Sequence, residues 1–383
     1  MSRSRRLLGV CALLGLAAQA QAQTYTAKLL NQPSGVSFCV YKEARLSNNG
    51  DVTANCFMPR VTLAGIAAAL AGGNGAQSTP RAYAWRNGGS AQVLSGSLTK
   101  PRSYGHGILA DGTVLGYIGT SNGSDEIGDL SAWKGSTRSA VALPAGYAAP
   151  WRVDTVSPGG ATRLLWRNSG PSGMDFATWI NGQARTLPGM PAACGVLGTT
   201  YNIHRWAVND AGQVAVLRQV QDNPFVSTSN RVVGTICLWD GGRWQVSPPS
   251  INYEDPELFD SDFYEMELQG VSPAGRVMVR QGFAAYDWAP GQQAQRLGNL
   301  VRAYGANDEL LGGDHPSGSQ LKAPATIWRN GQALDLSQAA TAPSGYYLAT
   351  ALSTNLKGQV LVVAQSTSNV GNTGNRLVLL TPR

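Results

Sequence analysis

One recurring pattern limits what this chain can fold into: a short strand that ends in Trp, a turn that contains Gly, and another strand. The Trp-ending strands occur six times, at residues 82–85, 130–133, 176–179, 236–239, 285–288 and 325–328. Successive Trp residues are 40 to 60 positions apart, and Gly follows each of them within three residues. The chain is therefore built from repeats of one supersecondary unit.

A second pattern precedes each Trp strand, and its clearest copy is the turn at residues 209–212, with the sequence Asn-Asp-Ala-Gly between two apolar stretches. Other copies lie at 46–52, 108–114, 156–161 and 271–277, with a shortened one at 306–311 and a shifted one at 355–360. Asn, Asp and Gly tolerate positive φ, which tight hairpin turns require. Each complete repeat thus contains four short strands, and this agrees with only 14% charged residues and 46 Gly.

Four-stranded units with a period of roughly 40 to 50 residues are typical of β-propeller blades. One such sheet cannot bury both of its faces, whereas blades around an axis bury each other, so the Trp residues are interpreted as packing between blades. The seventh repeat ends at residues 375–380 without a following strand, and residues 25–30 resemble the missing one. The sequence predicts an all-β propeller of about seven four-stranded blades, closed by the N-terminal strand joining the C-terminal blade.

These motifs resemble the bacterial extracellular repeat family called HAF repeats. The resemblance rests on the Arg-Ala-Tyr-Ala-Trp stretch at 81–85, the turn-x-Val-x-Gly stretches and the Leu-Leu-Thr-Pro ending at 379–382, and it covers nearly the whole chain after the first residues. The His of the family's namesake triplet is Arg81 here. The resemblance implies a secreted, propeller-like protein and carries no catalytic motif.

The first 23 residues are predicted to be an export signal, because three arginines precede the apolar run 7–18 and small-x-small cleavage sites follow at 18–20 and 20–22. Residues 24–383 then form a single propeller domain, secreted or periplasmic in a bacterium. No later apolar stretch is long enough to span a membrane. Removing Arg3, Arg5 and Arg6 lowers the formal charge from +7 to +4, and no basic run with interleaved aromatics supports nucleic-acid binding.

Four cysteines remain after the signal, an even number that favours disulfides in an exported protein. Cys39 and Cys56 are nearly symmetric about a predicted turn at 47–50, which suggests a bridge across that hairpin. Cys194 and Cys237 lie in the fourth repeat and are paired by elimination. Four cysteines permit three connectivities, and a metal site is less favoured because no Cys-x-x-Cys spacing occurs.

Three insertions interrupt the regular spacing, at residues 62–76, 220–231 and 252–267. The third concentrates acidic and aromatic residues, and its candidate calcium ligands are Asp255, Asp260, Asp262 and Glu265. Calcium binds several carboxylate and carbonyl oxygens, although the spacing matches no EF-hand. A basic partner and a solvated acidic loop are the alternative interpretations, and no other cofactor is predicted.

The repeats also predict which residues border the central channel. Eight and six residues before each turn Gly, the first strand carries polar or aromatic side chains on one face. The candidate ligand-binding residues are Tyr104, His106, Arg152, Asp154, His204, Trp206, Glu267 and Gln269. Convergent polar groups in a concavity are the default hypothesis for a binding site, and ordinary variation at loop ends is the alternative.

No zinc motif, serine-hydrolase elbow or phosphate loop occurs in the sequence. The favoured function is therefore a non-enzymatic binding module for a glycan, a peptide or an envelope component, acting as a monomer. An extracellular polysaccharide-acting enzyme, a lyase or glycosidase with its site at the channel mouth, is the alternative. In that case a histidine such as His106 or His204 would act with an acid such as Asp154 or Glu267. A structural surface module without a ligand is the third interpretation.

Overall fold

The fold is taken from a computed structural model. It describes residues 23–36, 38–60, 77–119, 129–148, 151–168, 174–195, 202–221, 232–247, 251–252, 266–281, 284–313, 323–368 and 374–383. In these segments no helix has the length and apolar character needed to cross a membrane.

Seven antiparallel sheets, the blades, follow one another along the chain. Strand β1 (Tyr25–Leu29) precedes blade 1 in the sequence. Blade 1 contains β2 (Phe38–Leu46), β3 (Val52–Arg60), β4 (Gln77–Trp85) and β5 (Ala91–Leu94). Blade 2 contains β6 (Arg102–Ile108), β7 (Val114–Gly119), β8 (Asp129–Lys134) and β9 (Thr137–Ala140). Blade 3 contains β10 (Arg152–Val156), β11 (Thr162–Asn168), β12 (Met174–Ile180) and β13 (Gln183–Thr186).

Blade 4 follows the short helix α1 (Ala192–Gly195) and has a fifth strand that pairs with its third. Its strands are β14 (Asn202–Val208), β15 (Val214–Gln221), β16 (Val232–Trp239), β17 (Trp244–Val246) and β18 (Ile251–Asn252). Blade 5 contains β19 (Met266–Val271), β20 (Val277–Gln281), β21 (Ala284–Trp288) and β22 (Gln295–Gly298). Blade 6 contains β23 (Val301–Tyr304), β24 (Leu310–Gly312), β25 (Thr326–Arg329) and β26 (Gln332–Asp335), and helix α2 (Leu336–Ala339) follows it.

Blade 7 combines the two ends of the described chain. Its strands are β27 (Tyr346–Thr354), β28 (Val360–Ser366), β29 (Arg376–Pro382) and β1 (Tyr25–Leu29). Strand β1 pairs antiparallel with β29, from Tyr25 opposite Pro382 to Leu29 opposite Val378. The first strands of consecutive blades contact each other all the way round, including β27 with β2. The predicted seven-bladed propeller and its closure by the N-terminal strand are therefore confirmed.

The repeated Trp packs between blades, as its position in the repeat predicts. Trp133 of blade 2 is fully buried among blade 1 residues such as Ala82 and Leu94, and its indole N–H donates to the Ser95 carbonyl at 3.0 Å. Trp85 packs in the same way on blade 7, next to Leu379. Each of these Trp residues therefore buries apolar area against the blade that precedes it in the ring, which stabilises the contact between the two blades.

Both predicted disulfides are present. Cys39 bonds to Cys56 across the paired strands β2 and β3, and Cys194 of α1 bonds to Cys237 of β16. The second bridge fixes the segment before blade 4 to that blade's third strand. Disulfides of this kind persist in oxidising compartments.

The turn between the first and second strands is five residues long in all seven blades. Its fourth residue has positive φ, from 59° at Asp308 to 91° at Gly50. In blade 4 the turn closes with Asn209 N–H donating to Gln213 O at 3.1 Å and Gly212 N–H donating to Asn209 O at 3.0 Å. This arrangement is a tight turn followed by a left-handed residue, a common hairpin connection.

The first residue of this turn organises it through its side chain. Asn209 Oδ1 accepts from the backbone N–H groups of Ala211 and Gln213, at 3.1 and 3.0 Å. Its amide then donates across the blade boundary to the Ser272 carbonyl at 2.7 Å. Asn355 of blade 7 repeats the arrangement, donating to the Ser47 carbonyl of blade 1 at 2.9 Å. The turn residues thus hold neighbouring blades together as well as reversing the chain.

Other turn residues make further bonds between blades. Asp210 of blade 4 accepts from the backbone of Gly159 in blade 3 at 3.1 Å. Asp308 of blade 6 accepts from the backbone of Ala274 in blade 5 at 3.0 Å. Six of the seven blade boundaries carry such a bond within the described residues. We call this end of the propeller the turn face, and the opposite end the loop face.

Candidate binding site around the central channel

A β-bulge interrupts the first strand at the same point in five blades. The first-strand residue that the pairing register skips is His106 in blade 2, Asp154 in blade 3, Gln269 in blade 5, Arg302 in blade 6 and Leu352 in blade 7. Each lies six residues before the positive-φ residue of its turn. A bulge bends the strand and re-aims the extra residue. The repeat spacing predicted that this first-strand residue borders the channel. In five of the seven blades it is also the residue at which the register between the first and second strands shifts.

Blade 6 contributes Arg302, which the spacing from turn Gly residues did not predict. Its turn has no Gly at the fourth position, where Asp308 adopts a φ of 59° instead. Counting back six residues from Asp308 places Arg302 at the bulge, in register with His106 and Gln269. A search for the turn Gly could not find this residue, because the turn of blade 6 has Asp308 where the other turns have Gly.

His106 of blade 2 is half-buried and faces the ring of Tyr117 edge-on, with the ring centres 4.6 Å apart. Burial, together with the positive charge of Arg45 from blade 1, lowers the pKa of His106 to about 4. The imidazole is therefore neutral at pH 7. Tyr117 was not predicted, and its hydroxyl donates to the Val153 carbonyl of blade 3.

Blade 1 brings a polar cluster to His106 through the irregular strand β2. Pairing with β3 jumps from Val40 opposite Asn55 to Arg45 opposite Thr53, so several residues between them are unpaired. Burial lowers the pKa of the Arg45 guanidinium, and nearby Glu43 opposes this shift. Asn55 donates to Glu43 Oε2 at 3.0 Å and also accepts from the Gly105 N–H of blade 2 at 2.8 Å. The register irregularity in β2, which the sequence pattern does not reveal, puts Glu43 and Arg45 next to blade 2.

Blade 5 contributes a separate pair of predicted residues. Gln269 donates from its amide to Glu267 Oε2 at 2.9 Å, and the Glu267 side chain is exposed. Arg280 lies directly opposite Glu267 on β20. Burial lowers the pKa of Arg280, and the charge of Glu267 opposes this effect. Glu267, Gln269 and Arg280 thus form a donor–acceptor group that is partly open to solvent.

The two predicted aromatic residues have different surroundings. Tyr104 is half-buried on β6, opposite Tyr117 of β7. Trp206 is half-buried against blade 3, with its ring 5.4 Å from that of Trp166 and 5.6 Å from that of Phe176. Trp206 therefore takes part in packing between blades 3 and 4, in addition to lying on a first strand.

Three predicted residues have described backbones only: Arg152 and Asp154 lie on β10, and His204 lies on β14. The candidate calcium ligands Asp255, Asp260, Asp262 and Glu265 lie outside the described residues. Within the described part of the chain, no group of three or more His, Cys, Asp or Glu side chains is placed to hold a metal ion.

The candidate residues surround the axis rather than forming one compact group. Tyr104 and His106 belong to blade 2, whereas Glu267 and Gln269 belong to blade 5, three blades further round the ring. The first strands carry six basic residues and three acidic ones, namely Lys42, Arg45, Arg102, Arg152, Arg205 and Arg302 against Glu43, Asp154 and Glu267. The strands that border the channel thus carry a net positive charge.

No protein-family model matches the sequence. No curated protein matches it significantly. Solved structures do match the fold. One is the extracellular domain of a putative hybrid two component system from B. thetaiotaomicron, at 12% identity and a TM-score of 0.43. The alignment covers 93% of this chain but spans only 39% of that longer chain.

A polysaccharide lyase matches over 89% of both chains at 9% identity, with a TM-score of 0.44. A mutant of the Aleuria aurantia lectin in complex with α-methyl-L-fucoside matches over 94% of this chain and 96% of its own, at 10% identity and a TM-score of 0.32. At these values the likeness concerns the fold, and it carries no argument about a ligand or an activity.

Proposed function

We propose that this protein is an exported, non-enzymatic propeller that binds a glycan or peptide ligand of the cell envelope at its central channel. The observation that carries the proposal is the recurring bulge, which places His106, Gln269 and Arg302 at one level of the ring. Convergence of side chains of different chemistry from several blades on the axis is the usual construction of a ligand site, and this supports the proposal. The net positive charge of the first strands favours a ligand with acidic groups.

The electrostatics of His106 favour binding over catalysis. A general base works best when its pKa lies near the operating pH. Because burial and Arg45 hold the pKa of His106 at about 4, the imidazole is a weak base at neutral pH. It remains able to donate and accept hydrogen bonds to a ligand.

Export and membership of the HAF-repeat family belong to the same proposal. The two disulfides support an oxidising compartment. The predicted signal at residues 1–23 would direct the chain there. The resemblance to HAF repeats rests on the motifs quoted above and adds a secreted, propeller-like character.

The test is a thermal-shift screen of the processed protein against acidic and neutral oligosaccharides and envelope peptides. A ligand bound by the native state raises Tm by mass action, and a hundredfold excess over Kd adds about 2.7 kcal/mol of stability. We expect one ligand class to raise Tm saturably, and His106→Gln or Glu267→Ala to remove that shift. Lys134→Ala is the matched control, because Lys134 is 79% exposed and lies on the third strand of blade 2.

Each outcome has a defined meaning. Saturable binding without product supports the binding module. Release of cleaved saccharide that His106→Gln or Glu267→Ala abolishes would replace it with the polysaccharide-acting enzyme. No shift with any ligand would contradict the channel site. A chelator arm tests the calcium hypothesis separately, since a bound ion contributes to Tm in the same way.

A further inference from the structure

A second concavity lies away from the predicted channel residues, beside blade 6 on the turn face. It has a volume of about 780 Å³, within the range of small-molecule sites. Its walls come mainly from the turns of blades 6 and 7, and its principal side chains are Arg276, Leu297, Glu309, Trp328, Arg329 and Lys357. None of the eight residues predicted to line the channel contributes to it.

Trp328 distinguishes this concavity from the equivalent place in other blades. The five other Trp residues at this repeat position are between 0% and 8% exposed, whereas Trp328 is half-buried and lines the concavity. Blade 6 has short strands, with only four residues in β23 and three in β24. The short sheet covers less of the preceding blade, so part of the Trp328 indole remains accessible as an apolar wall.

Polar side chains around Trp328 are already held in place. Glu309 is 5% exposed and accepts from the Asn307 N–H at 2.9 Å. Arg329 lies 3.5 Å from Glu309 Oε1, and the Thr354 hydroxyl donates to Glu309 Oε2 at 3.3 Å. A ligand would therefore meet groups whose orientation is fixed before it arrives, which lowers the entropic cost of binding.

The opposite wall is fixed in a similar way. Arg276 forms an ion pair with Asp287, which is 3% exposed, and the Tyr304 hydroxyl donates to the same carboxylate at 2.5 Å. The lining residues Arg276, Arg329 and Lys357 carry three positive charges, and Asp308 and Glu309 carry two negative ones. With charges this nearly balanced, the concavity does not select a strongly acidic or strongly basic ligand.

We propose that this concavity, which we call the Trp328 site, binds a neutral sugar ring. An indole offers a flat apolar surface to the C–H face of a sugar, and aromatic side chains combine a large contact area with defined geometry. Sugar hydroxyls both donate and accept hydrogen bonds, which matches a lining of guanidinium donors and carboxylate and amide acceptors. The Trp328 site is independent of the channel site, so either can fail without the other.

Saturation-transfer NMR on the processed protein provides the test, with the methyl glycosides of glucose, galactose, mannose, N-acetylglucosamine and fucose as probes. We expect saturable transfer to the ring C–H protons of at least one probe, with a Kd on the order of 1 mM. Trp328→Ala should weaken that binding about tenfold or more. Trp244→Ala is the matched control, because Trp244 is another half-buried Trp, on β17, and lies outside the concavity.

A second variant covers the case in which Trp328→Ala unfolds. Leu356 is 66% exposed at the rim, and Leu356→Trp should fill the concavity without touching the core and abolish binding. Lys134→Ala should leave binding unchanged, because Lys134 lies on β8 of blade 2 and does not line the concavity. No saturable transfer from any probe up to about 50 mM, or binding that persists in both Trp328→Ala and Leu356→Trp, would overturn the proposal.

Discussion

The two ends of the propeller differ in the length of their strand connections and in the hydrogen bonds between them. On the turn face, all seven turns between first and second strands have five residues, and hydrogen bonds between blades connect them. On the loop face, the connections between second and third strands vary from two residues after β20 to sixteen after β3. The constant turns and their bonds indicate that the turn face maintains the ring, whereas the connections on the loop face differ in length from blade to blade. Ligand sites in such folds commonly use the variable end.

The largest effect that we predict tests the turn face. Asn209→Ala removes two accepted bonds from its own turn and two donated bonds, one to Gln213 Oε1 and one to the Ser272 carbonyl of blade 5. Asn209 is 2% exposed, so its former partners would be left without compensation by water. We expect a loss of about 3 kcal/mol in the free energy of unfolding, measured by urea denaturation.

Asn209→Ser separates the two roles of that side chain. Ser occupies the equivalent position at Ser47 and Ser272, where its hydroxyl accepts from its own turn at 3.1 Å. The variant keeps this local bond and lacks the amide that reaches blade 5, so the expected loss is about 1 kcal/mol. Equal losses for Ala and Ser would mean that the bonds donated by the Asn209 amide, to Ser272 and to Gln213, contribute all of the effect. A negligible loss for both would contradict the role assigned to the turn face.

The sequence predicts the turn, but it does not predict the hydrogen bond that joins one turn to the turn of the next blade. Asn209 and Gly212 indicate a hairpin because their backbone preferences are local. The partner of the Asn209 amide is Ser272, 63 residues away, and no local pattern identifies it. Closure by β1 was predictable because a missing strand at one end and a spare strand at the other complement each other.

The channel residues were only partly predictable for the same reason. His106 and Gln269 follow from counting back from Gly, and Arg302 was missed because Asp308 adopts the left-handed conformation without being Gly. Glu43 and Arg45 were missed because an irregular register in β2 brings them beside blade 2. Bulges depend on how two strands pair, which single-strand periodicity does not encode.

An intermediate effect is expected at His106, on a first strand between the two faces. Its folded pKa of about 4 lies below the ordinary value of 6.5, so the unfolded chain binds more protons between these pH values. Stability is therefore full above pH 6.5 and falls as the pH decreases towards 4. The whole shift corresponds to about 3 kcal/mol, and partial exposure of the side chain reduces the expected effect to about 1 to 2 kcal/mol.

Urea denaturation of the wild type and His106→Gln at pH 7 and pH 4.5 measures this contribution. The variant should lose less stability on acidification, and the difference between the two proteins cancels acid effects that they share. Identical pH dependence would mean that His106 is well solvated, in conflict with its packing against Tyr117 and its position near Arg45.

The smallest effect on stability is expected at Glu267, near the start of β19 at the loop face. Its carboxylate is exposed, and its recorded hydrogen bond comes from Gln269 two residues away, so Glu267→Ala should cost about 0.5 kcal/mol or less in urea denaturation. The same variant should lose ligand binding if the channel site is correct, because the carboxylate would contact the ligand rather than the ring. A loss above about 2 kcal/mol would instead make Glu267 a structural partner of Arg280. Polar contacts would then stabilise the ring at both the turn face and the loop face. The two faces would differ only in the lengths of their strand connections.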